Sequence, residues 1–394
     1  MRYPEFIALM ALMMSIVALS TDAVLPALPM IGDALGTADE NHRQLVVGVL
    51  LVGLALGQIL FGPLSDSLGR KPIILFGFAT FAVGSLLSIW SPNFETMLIG
   101  RLVQGFGAAA PRVAAVAVVR DRFEGRQMAR TISLIMTFFI LVPAIAPTVG
   151  QIILTFADWH GIFWLFIVMA SGTGLWAMSR LPETLSDRYR HPLSFTRVGI
   201  AFVEVLKNRM AMGYLLATSS LLSGLFGYVT SAQQIFQDLY GLGDLFPVAF
   251  GGLAISIGFA SFVNSRLVVR FGIRRMVRVA LSAMIALTAA FAASTVYADG
   301  LPPLWLMFPL LAPMFFGFGL LFGNMNARAM QPMGHIAGSA AAVIGTGTTA
   351  LAAVVGSLIG QAFDGTVLPL AFGFLFGALF SLTFSIWAER GAPD

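Results

Sequence analysis

Residues 62–72 read Gly62-Pro63-Leu64-Ser65-Asp66-Ser67-Leu68-Gly69-Arg70-Lys71-Pro72. The stretch predicts a short charged turn between two long apolar runs, with Gly62-Pro63 ending the first and Pro72 opening the second. In a water-soluble protein it would be an ordinary loop. Here nearly everything around it is membrane-length and uncharged. Of 394 residues, 58% are hydrophobic and only 11% charged, with a mean hydropathy of +0.87. Soluble domains carry about 25% charged residues, and this chain has too little polar surface to cover such a core. The bilayer is therefore the expected solvent.

Working outward from the turn, runs of about 20 apolar residues, the length needed to cross a bilayer, recur twelve times. They lie near residues 4–28, 44–62, 72–91, 95–118, 131–154, 161–179, 210–231, 245–264, 277–298, 304–327, 339–362 and 368–388. The first continues through Pro26 and Pro29 without a small-residue cleavage site, so it is expected as a retained helix rather than a signal peptide. The fold expected is an all-α membrane protein with twelve transmembrane helices in two six-helix bundles. Residues 1–180 would form the first bundle, 181–208 a cytoplasmic linker, and 209–394 the second. Val198, Phe202 and Val205 repeat at near-helical spacing, so part of the linker is expected as a surface helix.

Charge placement predicts the orientation. With the N-terminus and every even-to-odd loop on the cytoplasmic side, those segments hold 20 of the 23 cations, the opposite side holds Arg43, and Arg101 and Arg112 fall inside span 4. The positive-inside rule then gives N-in, C-in. The halves also echo each other. Arg70 and Lys71 after Gly69 correspond to Arg274 after Gly272, and Gly105-Phe106-Gly107 corresponds to Gly317-Phe318-Gly319. Six-plus-six repeats are a transporter architecture, with the substrate site expected near the midplane.

The groups with chemical potential lie inside the spans. Asp22 falls about 27 Å along span 1 from Pro4, about 7–8 Å to the periplasmic side of its centre. An acid costs at least about 2.5 kcal/mol there and persists only facing protein or a wet cavity, where it can carry protons. Arg101 sits at matching depth in span 4, which makes Asp22 its expected acceptor. Gln104 follows at i+3, and Arg112 projects from nearly the same side or snorkels to the headgroups. In span 5, Pro143, Pro147 and Gly150 at i, i+4 and i+7 predict a notched, kinked face suited to close helix packing. In the charged turn, Asp66 is expected to accept N–H groups from a neighbouring helix start. Arg70 would pair with Asp66 or another carboxylate, forming a clasp that can hold one arrangement and release another. Gly356 and Gly360 form a small-xxx-small packing pattern.

Several function classes are excluded or weakened. There is no Cys, hence no disulfide or thiol chemistry. Four His at loops or span ends, with no paired ligand spacing, argue against a metal site and against an enzyme. No segment suggests a nucleic-acid partner, and no repeated filter suggests a channel.

Several segments together resemble one family. They are Thr21-Asp22-Ala23-Val24-Leu25-Pro26-Ala27-Leu28-Pro29, Gly57-Gln58-Ile59-Leu60-Phe61 running into the Asp66 turn, and Arg101-Leu102-Val103-Gln104-Gly105. Val119-Arg120-Asp121, Ala146-Pro147-Thr148-Val149-Gly150, Asp158-Trp159-His160-Gly161-Ile162-Phe163-Trp164 and Pro182-Glu183-Thr184-Leu185 follow in order. The N-terminal half resembles the bicyclomycin/chloramphenicol-resistance type of drug:proton antiporter within the major facilitator superfamily. The C-terminal half matches in hydropathy and the weak repeat alone. The resemblance implies proton-coupled efflux of small amphipathic drugs by alternating access across a bacterial inner membrane. It implies a monomer driven by the proton gradient, without a cofactor. The alternative is a narrower metabolite exporter or proton symporter of the same fold. By the resemblance, Asp22 serves proton coupling or drug contact and Arg101 is the buried cation of span 4. Gly62, Asp66, Gly69, Arg70 and Lys71 belong to a cytoplasmic gate, and Pro143, Pro147 and Gly150 to the antiporter motif. That motif here carries a single glycine followed by Gln151, and Arg112 lies outside the family pattern.

Overall fold

The long apolar runs become helices because an unpaired backbone N–H or C=O in hydrocarbon costs several kcal/mol and a helix satisfies them internally. The computed structural model describes residues 1–37, 39–185, 190 and 195–390. Among these, twelve helices are long and apolar enough to cross a membrane. The chain divides into two compact units, Met1–Val198 and Gly199–Asp394. The expected linker holds a helix of its own, and Arg188 lies outside the described residues.

Unit 1 contains α1 (Tyr3–Asp22), α2 (Leu28–Leu35), α3 (Leu45–Leu68), α4 (Arg70–Ile89), α5 (Phe94–Arg122), α6 (Gly125–Leu154) and α7 (His160–Arg180). The first crossing is broken rather than continuous. A 3-10 turn at Leu25–Ala27 separates α1 from α2, and the crossing runs on to Leu35, seven residues past the expected end at 28. Pro26 is the cause. It has no N–H to give the Asp22 carbonyl four residues back, and its ring crowds that carbonyl, so α1 ends at Asp22.

The charged turn is also shorter than the sequence suggests. α3 continues through Gly62 and Pro63 to Leu68, so Gly62 is helical, and the reversal is made at Gly69. Gly69 has φ +105°, open to glycine at little cost, and a Cβ there would come within 2.6 Å of Glu183 Oε2. Helix α5 packs tightly on its neighbours. A Cβ on Gly105 would lie 2.0 Å from the Leu50 carbonyl of α3, and one on Gly107 would lie 2.4 Å from the Phe81 N of α4.

Unit 2 contains the larger part of α8 (Phe195–Lys207), then α9 (Arg209–Gln233), α10 (Phe246–Phe271), α11 (Ile273–Tyr297), α12 (Leu304–Met330), α13 (Ala337–Gln361) and α14 (Leu368–Glu389). A π-helical turn, Gln234–Leu239, extends α9. In α8 the buried face is Ala201 and Val205, four residues apart, whereas Phe202 is exposed. The expected Val198–Phe202–Val205 stripe is thus not the packed one, and the Val198 side chain lies outside the described residues. Gly356 of α13 approaches α9, where its Cβ would meet Phe226 Cβ at 2.5 Å.

Candidate functional site

Two polar clusters stand out, both within unit 1. The deeper one is built around Arg101 and Gln104, each fully buried on α5. Arg101 Nε donates to the Val46 carbonyl at 2.8 Å, one terminal nitrogen donates to the Ser20 carbonyl at 2.8 Å, and the other donates to Gln104 Oε1. Gln104 Nε2 donates to Ser85 Oγ at 2.7 Å, and the guanidinium lies 5.7 Å from the centre of the Phe163 ring. Arg101 and Gln104 together thereby join α1, α3, α4, α5 and α7. The Ser20 contact follows from the break in span 1. The last backbone bond of α1 runs from the Ala23 N–H to the Leu19 carbonyl, so the Ser20 carbonyl is at a helix end and needs a donor. Arginine fits this task because its fork spreads several N–H groups in a fixed plane.

Asp22 sits two residues beyond Ser20, at the same break, and is 5% exposed. The expected Asp22–Arg101 ion pair is not present. Among the described residues no hydrogen bond or ion pair is made by the Asp22 carboxylate, and Arg101 is satisfied by neutral acceptors. The physical reason is competition: the Ser20 carbonyl at the end of α1, the Val46 carbonyl on α3 and Gln104 Oε1 already occupy the fork. The break also receives α6. A Cβ on Gly150 would stand 2.0 Å from the Ala23 carbonyl oxygen, so this glycine sets the closest approach of α6 to the Asp22 turn. Pro147 is buried and Pro143 half-buried, both inside a helix that runs unbroken from Gly125 to Leu154. Arg112 is half-buried on α5, and among the described residues it has no hydrogen-bond or carboxylate partner.

The second cluster surrounds the α3–α4 turn. Arg70, 3% exposed, pairs with Asp66 at 2.5 Å and with Asp121, at the end of α5, at 2.8 Å, and it donates to Ser65 Oγ at 3.0 Å. Asp66 does not take the helix-start N–H groups expected of it. Glu183 takes them: its carboxylate accepts from the backbone N–H of Arg70 at 3.0 Å and Lys71 at 3.1 Å, and from Thr184 and Leu185 at 2.9 Å each. Geometry decides between the two acids. Asp66 is on the last turn of α3 and reaches the Arg70 side chain at i+4. Glu183, beyond α7, approaches α4 along its axis, where a negative charge is favoured. Burial alone would push the Glu183 carboxyl up, but the N–H groups of Leu185, Arg70, Lys71 and Thr184 outweigh it and hold the group below the usual carboxylate range. Asp121 and Glu183 are the members that residue-by-residue reading missed. Both lay within quoted segments, yet neither has a charge pattern that fixes its partner at distances of 51 and 113 residues.

Among the described residues no group of His, Asp and Glu is arranged to hold a metal ion. What the deep cluster offers is a buried, unpaired acid at a helix break beside a rigid guanidinium hub, which suits reversible binding of a proton or cation.

Comparison with known proteins shows the family. The Major Facilitator Superfamily profile matches residues 10–357. A MFS-type transporter of Bacillus subtilis (strain 168), YdgK, described as uncharacterized, is 34% identical over 348 residues, covering 87% of this chain and 85% of that protein. A bicyclomycin resistance protein homolog of Haemophilus influenzae is 30% identical over 380 residues, covering 93% and 92%. The crystal structure of a D-xylose-proton symporter superposes with a TM-score of 0.77 at 14% identity over 100% of this chain and 99% of that one, which is a likeness of fold. Relatives of this kind are transporters of small molecules, not enzymes. The chain is a multi-pass membrane transport protein and belongs to the Major Facilitator Superfamily.

Proposed function

We propose that the chain exports small amphipathic compounds in exchange for protons, by alternating access, with Asp22 as the group at which proton and substrate compete. The observation that carries this reading is the isolation of Asp22: a carboxylate 5% exposed, inside a crossing, with no hydrogen bond or ion pair among the described residues. A lone charge in that setting is costly and is relieved by taking up a proton or by meeting a cation. Either ligand can favour a conformation only through its differential affinity for it, so mutual exclusion at one carboxylate couples the two flows. The 30% identity to a bicyclomycin resistance protein homolog supports a drug as cargo. Arg101 would position the Asp22 turn through Ser20 rather than act as its counter-ion. The Arg70–Asp66–Asp121 cluster and Glu183 would latch one conformation at the face we assign to the cytoplasm. The membrane we assign is the bacterial inner membrane, with the proton gradient as the energy source and no cofactor.

The test is uphill transport of ethidium in proteoliposomes under an imposed pH gradient. Wild type is expected to accumulate ethidium. Asp22→Asn is expected to equilibrate it without accumulation while eluting as a folded protein. Uphill transport by Asp22→Asn would overturn the reading.

A further inference from the structure

The α10–α11 turn of unit 2 holds arginines for which the transport reading has no use. Arg274, Arg275, Arg278 and Arg328 line one cleft of about 1060 Å³, together with Phe271, Gly272, Ile273, Ala327, Met330 and Gln331. Against these four cations the cleft has one nearby acid among the described residues, Glu389, at the end of α14. It pairs with Arg274 at 3.0 Å and Arg328 at 2.5 Å, and it also accepts from Tyr214 Oη at 2.6 Å. Arg275 and Arg278 are exposed and have no carboxylate partner among the described residues. Arg275 is 5.7 Å from the centre of the Phe271 ring. The cleft is therefore a concave surface with surplus positive charge, large enough for a ligand of drug size.

We infer that this cleft binds the phosphodiester headgroup of an anionic phospholipid. Charge calls for a phosphate-type anion, since arginine forks match phosphate oxygens. The surroundings favour a lipid as its source. Exposed apolar side chains flank the arginines on both helices: Val269 and Phe271 on α10, and Val279 on α11. A headgroup in the cleft would leave its acyl chains along these residues, at the edge of two membrane crossings. Basic recesses between crossing helices bind anionic headgroups by this combination of charge and apolar flank. A soluble anion would gain nothing from the apolar border. The binding is independent of the role of Asp22.

Native mass spectrometry of the full-length protein with added tetraoleoyl-cardiolipin or dioleoyl-phosphatidylcholine tests the inference. Wild type is expected to hold cardiolipin in clear preference. Arg275→Gln combined with Arg278→Gln removes the two arginines that have no carboxylate partner, and cardiolipin binding is expected to weaken about thirty-fold (about 2 kcal/mol). The charge-matched pair Lys207→Gln and Arg209→Gln, outside the cleft, is expected to change it by less than about threefold. Millimolar inorganic phosphate is expected to leave the lipid bound. Equal retention of the two lipids, or equal weakening by both double variants, would overturn the site. Displacement of cardiolipin by inorganic phosphate would overturn the lipid as its ligand.

Discussion

Unit 1 buries charge inside its helices, whereas unit 2 keeps its described charges near helix ends and in the turns between helices. In unit 1, Asp22 is buried at a helix break in the first crossing, and Arg101 of α5 is buried against the same segment through the Ser20 carbonyl. At the end of α9, the corresponding crossing of unit 2, stand Gln233 and Gln234, both buried and neutral, and elsewhere in the unit Asn324 donates to Asn264 Oδ1 at 2.7 Å. The turns reverse the pattern. At α3–α4 the cation Arg70 is enclosed by Asp66 and Asp121, and Glu183 caps the helix start. At α10–α11 one acid, Glu389, is shared by two arginines, while Arg275 and Arg278 have no carboxylate partner among the described residues. Related halves have thus divided the work. Unit 1 has a buried acid without a partner among the described residues and a charge-balanced turn, and unit 2 has buried neutral side chains and a turn with surplus cations.

The contrast predicts where substitutions hurt. The largest effect belongs to Arg101→Leu. It leaves the Ser20 carbonyl and Gln104 Oε1 without their buried donor and removes a contact to the Val46 carbonyl, at about 3 kcal/mol or more. A thermal-denaturation scan in detergent should show a drop of many degrees or failure to fold, and an unchanged midpoint would break the comparison. Arg101→Lys should recover only part, because an ammonium lacks the fork.

Next is Gly150→Val. The new Cβ would sit 2.0 Å from the Ala23 carbonyl, so α6 must shift, at about 1–3 kcal/mol and with loss of transport. The matching experiment in unit 2 is Gly323→Ala on α12, where nothing lies within 4 Å of the new methyl. It should be neutral or stabilising by up to about 1 kcal/mol. Equal damage at both glycines would mean that the break in span 1 is not a special contact.

A smaller effect follows from Glu183→Gln. Loss of the charged acceptor at the start of α4 should destabilise by about 1 kcal/mol at neutral pH, limited by partial exposure to solvent. Its folded carboxyl titrates below the unfolded value of about 4.3. The contribution is therefore complete above that value and is lost as pH falls through the folded one. Melting curves of wild type and Glu183→Gln should differ at pH 7 and converge toward pH 3. A gap that widens on acidification would contradict the assignment.

The smallest change in stability is expected for Asp66→Asn. Its side chain is half exposed, and Arg70 retains Asp121, so less than about 1 kcal/mol should be lost. Transport should nevertheless slow, because one strut of the latch is gone. Wild-type transport rates under a saturating gradient would remove Asp66 from it.

Much of this was readable from the chain alone. The number of crossings and their approximate extents follow from apolar runs, and the burial of Asp22 and Arg101 follows from their depth, whereas proline placement does not separate the break at Pro26 from Pro63, Pro143 and Pro147, which stay inside helices. What could not be read was pairing. Depth alone suggested that Asp22 faces Arg101, but the winning acceptors are backbone carbonyls, which every residue carries and no sequence pattern marks. Likewise, the acceptor at α4 turned out to be Glu183 rather than Asp66, because approach along the helix axis is set by where the chain returns after α7. The Gly-Phe-Gly echo shows the same limit. Gly105 approaches α3 and Gly107 approaches α4, whereas in unit 2 Gly317 meets Met284 of α11 and Gly319 meets the Ile257 carbonyl of α10. The residues repeat, but the order of their contacts is reversed.

The most direct test of the coupling is the proton released when substrate binds. Purified protein in weakly buffered detergent solution near neutral pH is mixed with ethidium, and the pH change is compared with the ethidium bound. Competition at Asp22 predicts that wild type releases protons in proportion to bound ethidium, while Asp22→Asn binds it with no release. Undiminished release from Asp22→Asn, or binding by wild type with none, would contradict the assignment of proton coupling to Asp22.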